Sequence, residues 1–259
     1  CYCPGCLHKS REAFFIRGPA RVGILDGLRR DADRMAAAGD RREVMFSFVG
    51  DPFAPEAVED GVTLEALRIM VERGLQFSVI TKGGTRALAA LYLLRQGGRY
   101  GTSLVWSSDT RRCQFEPNSA PVANRLEAIG EARRAGIYCW ASVEPVLEPA
   151  QAVSAIVRLG NAGCQEVRLG RRRGDNNSDW PRFCREALAA INDVGMSYQV
   201  KASLREFWPA GVPTDTKTDG GYGNQGESRG RDNANRERIW FSPHCLSPDS
   251  DSAQQGLFD

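Results

Sequence analysis

From Glu43 onward, short runs rich in β-branched and aromatic residues alternate with longer segments of helical periodicity, with glycine between many of them. Repeated βα units of this kind build a parallel sheet, because a crossover helix returns the chain to the same end of the sheet each time. The first run, Val44 to Val49, ends at Gly50-Asp51-Pro52. Thr63 then stands where it can cap a helix with Leu64, Leu67 and Val71 on one face, closed by Gly74. Phe77 to Ile80 is a second run, followed by Thr81-Lys82-Gly83-Gly84 and a helix over Ala87 to Leu94 that stops at Gly97-Gly98. A third strand is expected over Ser103 to Trp106, then a polar loop through Cys113 and Glu116-Pro117, then a helix from Pro121 to Ala135. The fourth strand, Ile137 to Val143, ends at Glu144-Pro145, and a helix from Ala150 to Leu159 leads to a fifth, Glu166 to Leu169. A helix over Pro181 to Val194 and a short terminal strand, Tyr198 to Val200, complete the regular part.

Strands that end in polar or glycine-bearing loops carry their chemistry at the C-terminal edge of the sheet. The expected fold is therefore α/β, a partial (β/α)6 barrel. Gly50-Asp51, Thr81-Lys82, Ser107 to Asp109, Glu144 and Gly170-Arg171 converge on its mouth. Residues 1–212 are read as this core. Beyond Pro213 the chain turns to Gly, Asn, Asp, Ser and Arg, too poor in apolar surface to order itself, so residues 213–259 are expected to form a flexible, disordered polar tail. Ile239-Trp240-Phe241 is an apolar patch within it, suited to docking on the domain or on a partner.

The charge balance of 34 Lys+Arg against 32 Asp+Glu excludes a strongly basic nucleic-acid clamp on charge alone. The longest apolar stretch, Ala87 to Leu94, falls well short of the roughly 20 residues a membrane-spanning helix needs, so no membrane association is expected. The anomaly lies at the start, where Cys1, Cys3 and Cys6 cluster while the other five cysteines are scattered. A lone C-x-x-C leaves zinc, iron–sulfur and no metal all open, since a closed zinc site needs four ligands and only His8 stands nearby.

Cys1-Tyr2 with Pro4, followed by Leu7-His8-Lys9 and Arg11-Glu12-x-Phe14-Phe15, resembles the end of the C-x-x-x-C-x-x-C signature of radical S-adenosylmethionine enzymes. More narrowly, it resembles the spore photoproduct lyase-like, "DNA repair photolyase" branch of that superfamily. Gly50-Asp51-Pro52-Phe53, Ile80-Thr81-Lys82, Glu116-Pro117 with Arg125-Leu126-Glu127, Glu144-Pro145-Val146 and Leu169-Gly170 follow in the same order at successive strand ends. The resemblance covers residues 1 to about 208.

This resemblance implies a [4Fe–4S] cluster that leaves one iron open to S-adenosylmethionine. One electron then cleaves the cofactor to methionine and a 5′-deoxyadenosyl radical that abstracts hydrogen from substrate. By this alignment Cys1 is the third cluster ligand, with the first two cysteines and the first barrel strand expected before it. In an alternative register Cys3 and Cys6 are the last two ligands. Gly50 and Asp51 are expected at the methionine amino group, with Thr81, Lys82, Ser107, Asp109 and Glu144 as further cofactor contacts and Arg125 paired to the methionine carboxylate. Taken singly, each has an ordinary alternative as a turn, a cap or a solvated side chain. The branch carries a hydrogen-donating cysteine where this chain has Phe48, which leaves Cys113 and Cys139 as candidate donors. The expected setting is a reducing cytoplasm with flavodoxin or ferredoxin as electron donor. The leading substrate is nucleic acid, with Arg168 to Arg173 as a phosphate-gripping loop. Two other readings are a zinc-binding nucleic-acid module using Cys1, Cys3, Cys6 and His8, and a cluster-free barrel enzyme using Asp51, Lys82 and Glu144 as acid–base groups.

Overall fold

The structure, a computed structural model, describes residues 22–46, 50–172, 174–216 and 238–241. Cys1, Cys3, Cys6 and Phe48 lie outside them, as does most of the tail. A helix absent from the sequence reading, α1 (Ile24–Ala37), comes first and packs on α3. Then follow β1 (Glu43–Phe46), α2 (Pro55–Glu59), α3 (Val62–Glu72) and β2 (Phe77–Thr81). A 3-10 segment (Gly84–Ala90) runs into the short α4 (Leu91–Leu94), and β3 (Gly98–Ser103), α5 (Asp109–Phe115) and α6 (Val122–Arg134) come next. The series closes with β4 (Tyr138–Val146), α7 (Pro149–Asn161), β5 (Glu166–Arg171), α8 (Trp180–Asp193), β6 (Ser197–Val200), α9 (Ala202–Arg205) and β7 (Arg238–Phe241). The strands form one sheet in the order β6-β5-β4-β3-β2-β1-β7, each pair parallel. Six parallel strands alternate with helices as the sequence predicts, in a partial barrel. Among the described residues no helix is long and apolar enough to cross a membrane.

The largest shift from expectation is β3, which occupies Gly98–Ser103 rather than Ser103–Trp106. Gly98, read as part of a helix stop, is a strand residue here, and large rings lie over it and over Gly101. A Cβ on Gly98 would fall 2.6 Å from the Phe77 ring, and one on Gly101 would fall 2.4 Å from the Trp140 indole. Gly101→Ala is accordingly expected to lower stability by about 1–3 kcal/mol through overpacking, read as a lower urea midpoint at unchanged m-value. Thr63 is not the cap of α3 but lies inside it, its hydroxyl donating to Pro52 O at 2.8 Å.

Alternation along the strands separates two faces. Phe77, Val79, Tyr100, Cys139, Ala141, Val143, Val167, Leu169, Tyr198 and Val200 point to the helices and form the apolar core. The opposite parity, the inside of the partial barrel, is polar and still buried: Ser78, Trp140, Glu166, Arg168 and Gln199. Several of these groups bond to one another. Trp140 Nε1 donates to Ser78 Oγ at 2.9 Å, Arg168 Nε to Glu166 at 2.6 Å, and the Arg168 guanidinium lies 3.8 Å over the Trp140 ring.

The chain beyond Pro213 begins in order rather than as free tail. Val200 N–H donates to Thr214 O at 2.7 Å and Thr216 N–H to Tyr198 O at 3.0 Å, so residues 214–216 run back along the outer edge of β6. At the other edge, Ile239, Trp240 and Phe241 of β7 face Val44, Met45 and Phe46. This segment therefore pairs with the edge of β1.

Candidate functional site

The C-terminal strand ends carry a connected polar network. Gly50-Asp51 follows β1, and Asp51 binds both its own turn and the next strand. Its Oδ1 accepts from Phe53 N–H at 2.9 Å and from the Thr81 hydroxyl, and its Oδ2 accepts from Lys82 N–H at 2.7 Å. Thr81 Oγ1 in turn accepts from Gly83 N–H at 2.7 Å. Gly83 suits this turn because a Cβ there would lie 2.6 Å from Phe53 O. One carboxylate thus fixes the loops after β1 and β2 relative to each other.

Lys82 Nζ reaches across to Glu116 at 2.6 Å, and the other Glu116 oxygen meets Arg125 Nη2 at 3.0 Å. Arg125 is fully buried, which requires every donor to be placed. Its Nε donates to Ala120 O at 2.8 Å, Nη1 to Ser103 O at 2.7 Å, and Nη2 also to the Ser119 hydroxyl. This corrects the expectation for Arg125. Its guanidinium is spent on the β3 end and the turn before α6, facing inward, so it is not presented to a ligand carboxylate.

Burial pushes the Glu116 carboxyl up, but the Lys82 ammonium and the Arg125 guanidinium outweigh it and hold the group below the ordinary carboxylate value. A carboxyl depressed in the fold stabilises the protein above its unfolded-state pKa, and that contribution is lost as pH falls through the folded value. Unfolding midpoints are therefore expected to drop below about pH 4.5 more steeply in the wild type than in Glu116→Gln, a comparison that urea titration at stepped pH reads directly.

The loop after β3 belongs to a neighbouring cluster. Gln151 Oε1 accepts from Ser107 Oγ at 2.7 Å and from the Ser107 and Ser108 N–H groups, both at 3.1 Å. Asp109 Oδ1 accepts from Val122 N–H at 3.0 Å and from Arg112 Nε at 2.6 Å. The Val122 amide is the main reason its carboxyl sits below the usual range, and the group acts as a cap on α6. Glu144 is half-buried at the end of β4, before a cis bond to Pro145, and lies over Gly170, where a Cβ would come within 2.7 Å of its carboxylate.

The two candidate hydrogen donors separate. Cys113 is exposed on α5, near the mouth, with Arg112 Nη2 2.8 Å from its sulfur. Cys139 is excluded by its position: it is the second residue of β4, points to the helix layer, and sits 3.4 Å from Ile137 O with its thiol pushed up by burial to about 12. Two arginines of the Arg168–Arg173 run are engaged within the fold, and Arg172 is exposed. Arg168 is buried against Glu166 and Trp140, while Arg171 donates to Ser203 O at 2.7 Å, Asp175 O at 2.6 Å and Glu206 at 3.0 Å. Trp180 and Trp208 are buried packing residues, as expected.

Sequence reasoning missed Glu116 as the hub of the network and the polar inner face of β3 to β6. The period-two spacing of Trp140 with Ser142, and of Glu166 with Arg168, was the available signal. Among the described residues, no group of three His, Cys, Asp or Glu could hold a metal ion.

No protein-family model matches the sequence. No curated protein matches it either. Solved structures do resemble the fold. SuiB of Streptococcus suis bound to S-adenosylmethionine superposes with a TM-score of 0.56 at 9% identity, covering 72% of this chain and 45% of that one. SuiB bound to its precursor peptide SuiA gives 0.55, again at 9% identity, covering 69% and 42%. A single-substitution variant of spore photoproduct lyase gives 0.50 at 14% identity, covering 68% and 66%. The chain thus spans about half the length of SuiB and just under two thirds of the lyase, and the likeness is one of fold.

Proposed function

We propose that the chain is the core of a radical S-adenosylmethionine enzyme, an iron–sulfur protein that reductively cleaves the cofactor to start hydrogen abstraction from a substrate. The observation that supports this most is the mouth itself. Two acidic groups, Asp51 and Glu144, stand at the ends of β1 and β4 of a parallel sheet whose fold resembles that of a protein solved with S-adenosylmethionine bound. When bound, a [4Fe–4S] cluster and S-adenosylmethionine supply the electron and the 5′-deoxyadenosyl group that no side chain provides.

The donor set fits the amino end of that cofactor. Asp51 and Glu144 hold negative charge at the mouth, suited to an ammonium group. Gly50, Thr81 and Lys82 form the turn that fixes Asp51, while Ser107 and Asp109 hold the loop after β3 against α7 and α6. Arg125 stiffens the wall from behind. Cys1, or Cys3 and Cys6 in the other register, would hold the cluster, fed by a reductant such as flavodoxin or ferredoxin. A nucleic-acid substrate rests on the resemblance, with Arg168 and Arg171 of the arginine run bonded within the fold.

Lys82 bound to Glu116 is a poor general base, which weighs against the cluster-free acid–base enzyme. The test is anaerobic reconstitution of the chain, together with whatever its reading frame encodes before Cys1, with iron and sulfide. Four irons per chain and an electron-paramagnetic signal altered by S-adenosylmethionine are expected, both lost in Cys1→Ala. Colourless protein that retains zinc would sink the proposal in favour of the zinc module.

A further inference from the structure

The first turn of α7 spends its polar side chains outside its own helix. Glu148 is the N-cap residue, Pro149 follows at the first helical position, and Gln151 stands third, where a glutamine can reach back to the N-cap N–H. Glu148 makes no side-chain cap and pairs with Arg111 of α5 instead. Gln151 turns its carbonyl oxygen to the loop after β3, where three donors meet on one atom. They are the Ser107 hydroxyl at 2.7 Å and the Ser107 and Ser108 N–H groups at 3.1 Å each. Two of the three are backbone amides, which only donate, so the shared atom is the oxygen and the orientation of the Gln151 amide is fixed. Two turns further along α7, Arg158 Nη1 donates to Ser107 O. The N–H, the carbonyl and the hydroxyl hydrogen of Ser107 are thus all held by one helix.

We infer that Gln151 is a positioning residue, one that sets the loop after β3 in the arrangement that binds the cofactor; this rests on the radical-enzyme reading. The sheet does not fix Ser107 and Ser108, because the β3–β4 ladder ends at Ser103 and Ser142 and its last bond is Leu104 N–H to Ser142 O at 3.0 Å. A glutamine kept only for helix stability would make the cap that its place in α7 offers, whereas this one gives its acceptor to the mouth. By taking the Ser107 hydroxyl hydrogen, Gln151 leaves only the oxygen lone pairs of that side chain for a ligand. Without Gln151 the hydroxyl turns freely and the loop loses three contacts at once, so ordering it falls on cofactor binding. That cost is the same for bound cofactor and for the transition state, and it therefore enters KM rather than kcat.

Gln151→Met keeps the shape and removes the acceptor, and Gln151→Glu keeps both. In the unaltered chain the Ser107 and Ser108 amides are expected to exchange hydrogen slowly although they lie beyond the ladder. Exchange at both should speed about 10-fold or more in Gln151→Met and stay within about threefold of wild type in Gln151→Glu. On the reconstituted protein, Gln151→Met should raise the KM for S-adenosylmethionine about 10-fold at a kcat within about twofold, and Gln151→Glu should recover most of that loss. A purely structural role would lower the urea midpoint of Gln151→Met and leave KM unchanged, and that result would overturn the inference. Unprotected serine amides in the unaltered chain, or a Gln151→Glu no better than Gln151→Met, would overturn it as well. Equal KM in wild type and Gln151→Met, both forming 5′-deoxyadenosine, would remove this inference alone. An unaltered protein that forms none would remove the radical reading and, with it, the role given to Gln151.

Discussion

Arg125→Met is expected to destabilise the protein by about 3–5 kcal/mol, the cost of leaving a buried charge without its partner. Glu116 is almost as buried as Arg125 and would lose that counter-charge, keeping the ion pair with Lys82, itself one-fifth exposed, while the carbonyls of Ser103 and Ala120 and the Ser119 hydroxyl would lose the Arg125 donor. The loss reaches the mouth because the Lys82 that Glu116 holds also gives its N–H to Asp51. Urea unfolding should show the full shift in midpoint. Pairing the change with Glu116→Gln should return part of it, since the stranded carboxylate is then gone. Equal losses in the single and double variants would mean that Arg125 stabilises by packing alone.

Glu166→Leu should be of similar size, about 3–5 kcal/mol, for the mirror-image reason. Arg168 would remain buried beneath nothing more than the face of Trp140, and a cation over an indole recovers only about 2 kcal/mol when desolvated. Replacing the pair together, Glu166→Leu with Arg168→Met, fills the volume without charge and should restore most of the stability. A double variant no more stable than Glu166→Leu would show that the pair is held for geometry rather than charge balance.

Much of the strand-and-helix order was legible because glycines and apolar periodicity fall where the crossovers require them. The sequence misled at Gly98, which reads as a helix stop but lies in β3 under the Phe77 ring, and only the folded sheet brings that ring over it. Docking of Ile239 to Phe241 on β1 was open in sequence, since an apolar patch says nothing of which edge accepts it. At the site, Asp51, Thr81 and Lys82 were found together because they close successive strands. Arg125 was assigned to a ligand carboxylate through the resemblance, whereas here the turn at Ser119 and Ala120 folds it inward. Cys139 was misassigned for want of parity, since its neighbour Trp140 takes the inner face.

The most direct test of the central claim is formation of 5′-deoxyadenosine. The reconstituted, dithionite-reduced protein should convert S-adenosylmethionine to 5′-deoxyadenosine and methionine in equal amounts. Asp51→Asn and Glu144→Gln should each slow it about 10-fold or more, as loss of a charge-assisted contact predicts. No 5′-deoxyadenosine from a protein carrying an intact four-iron cluster would contradict the account.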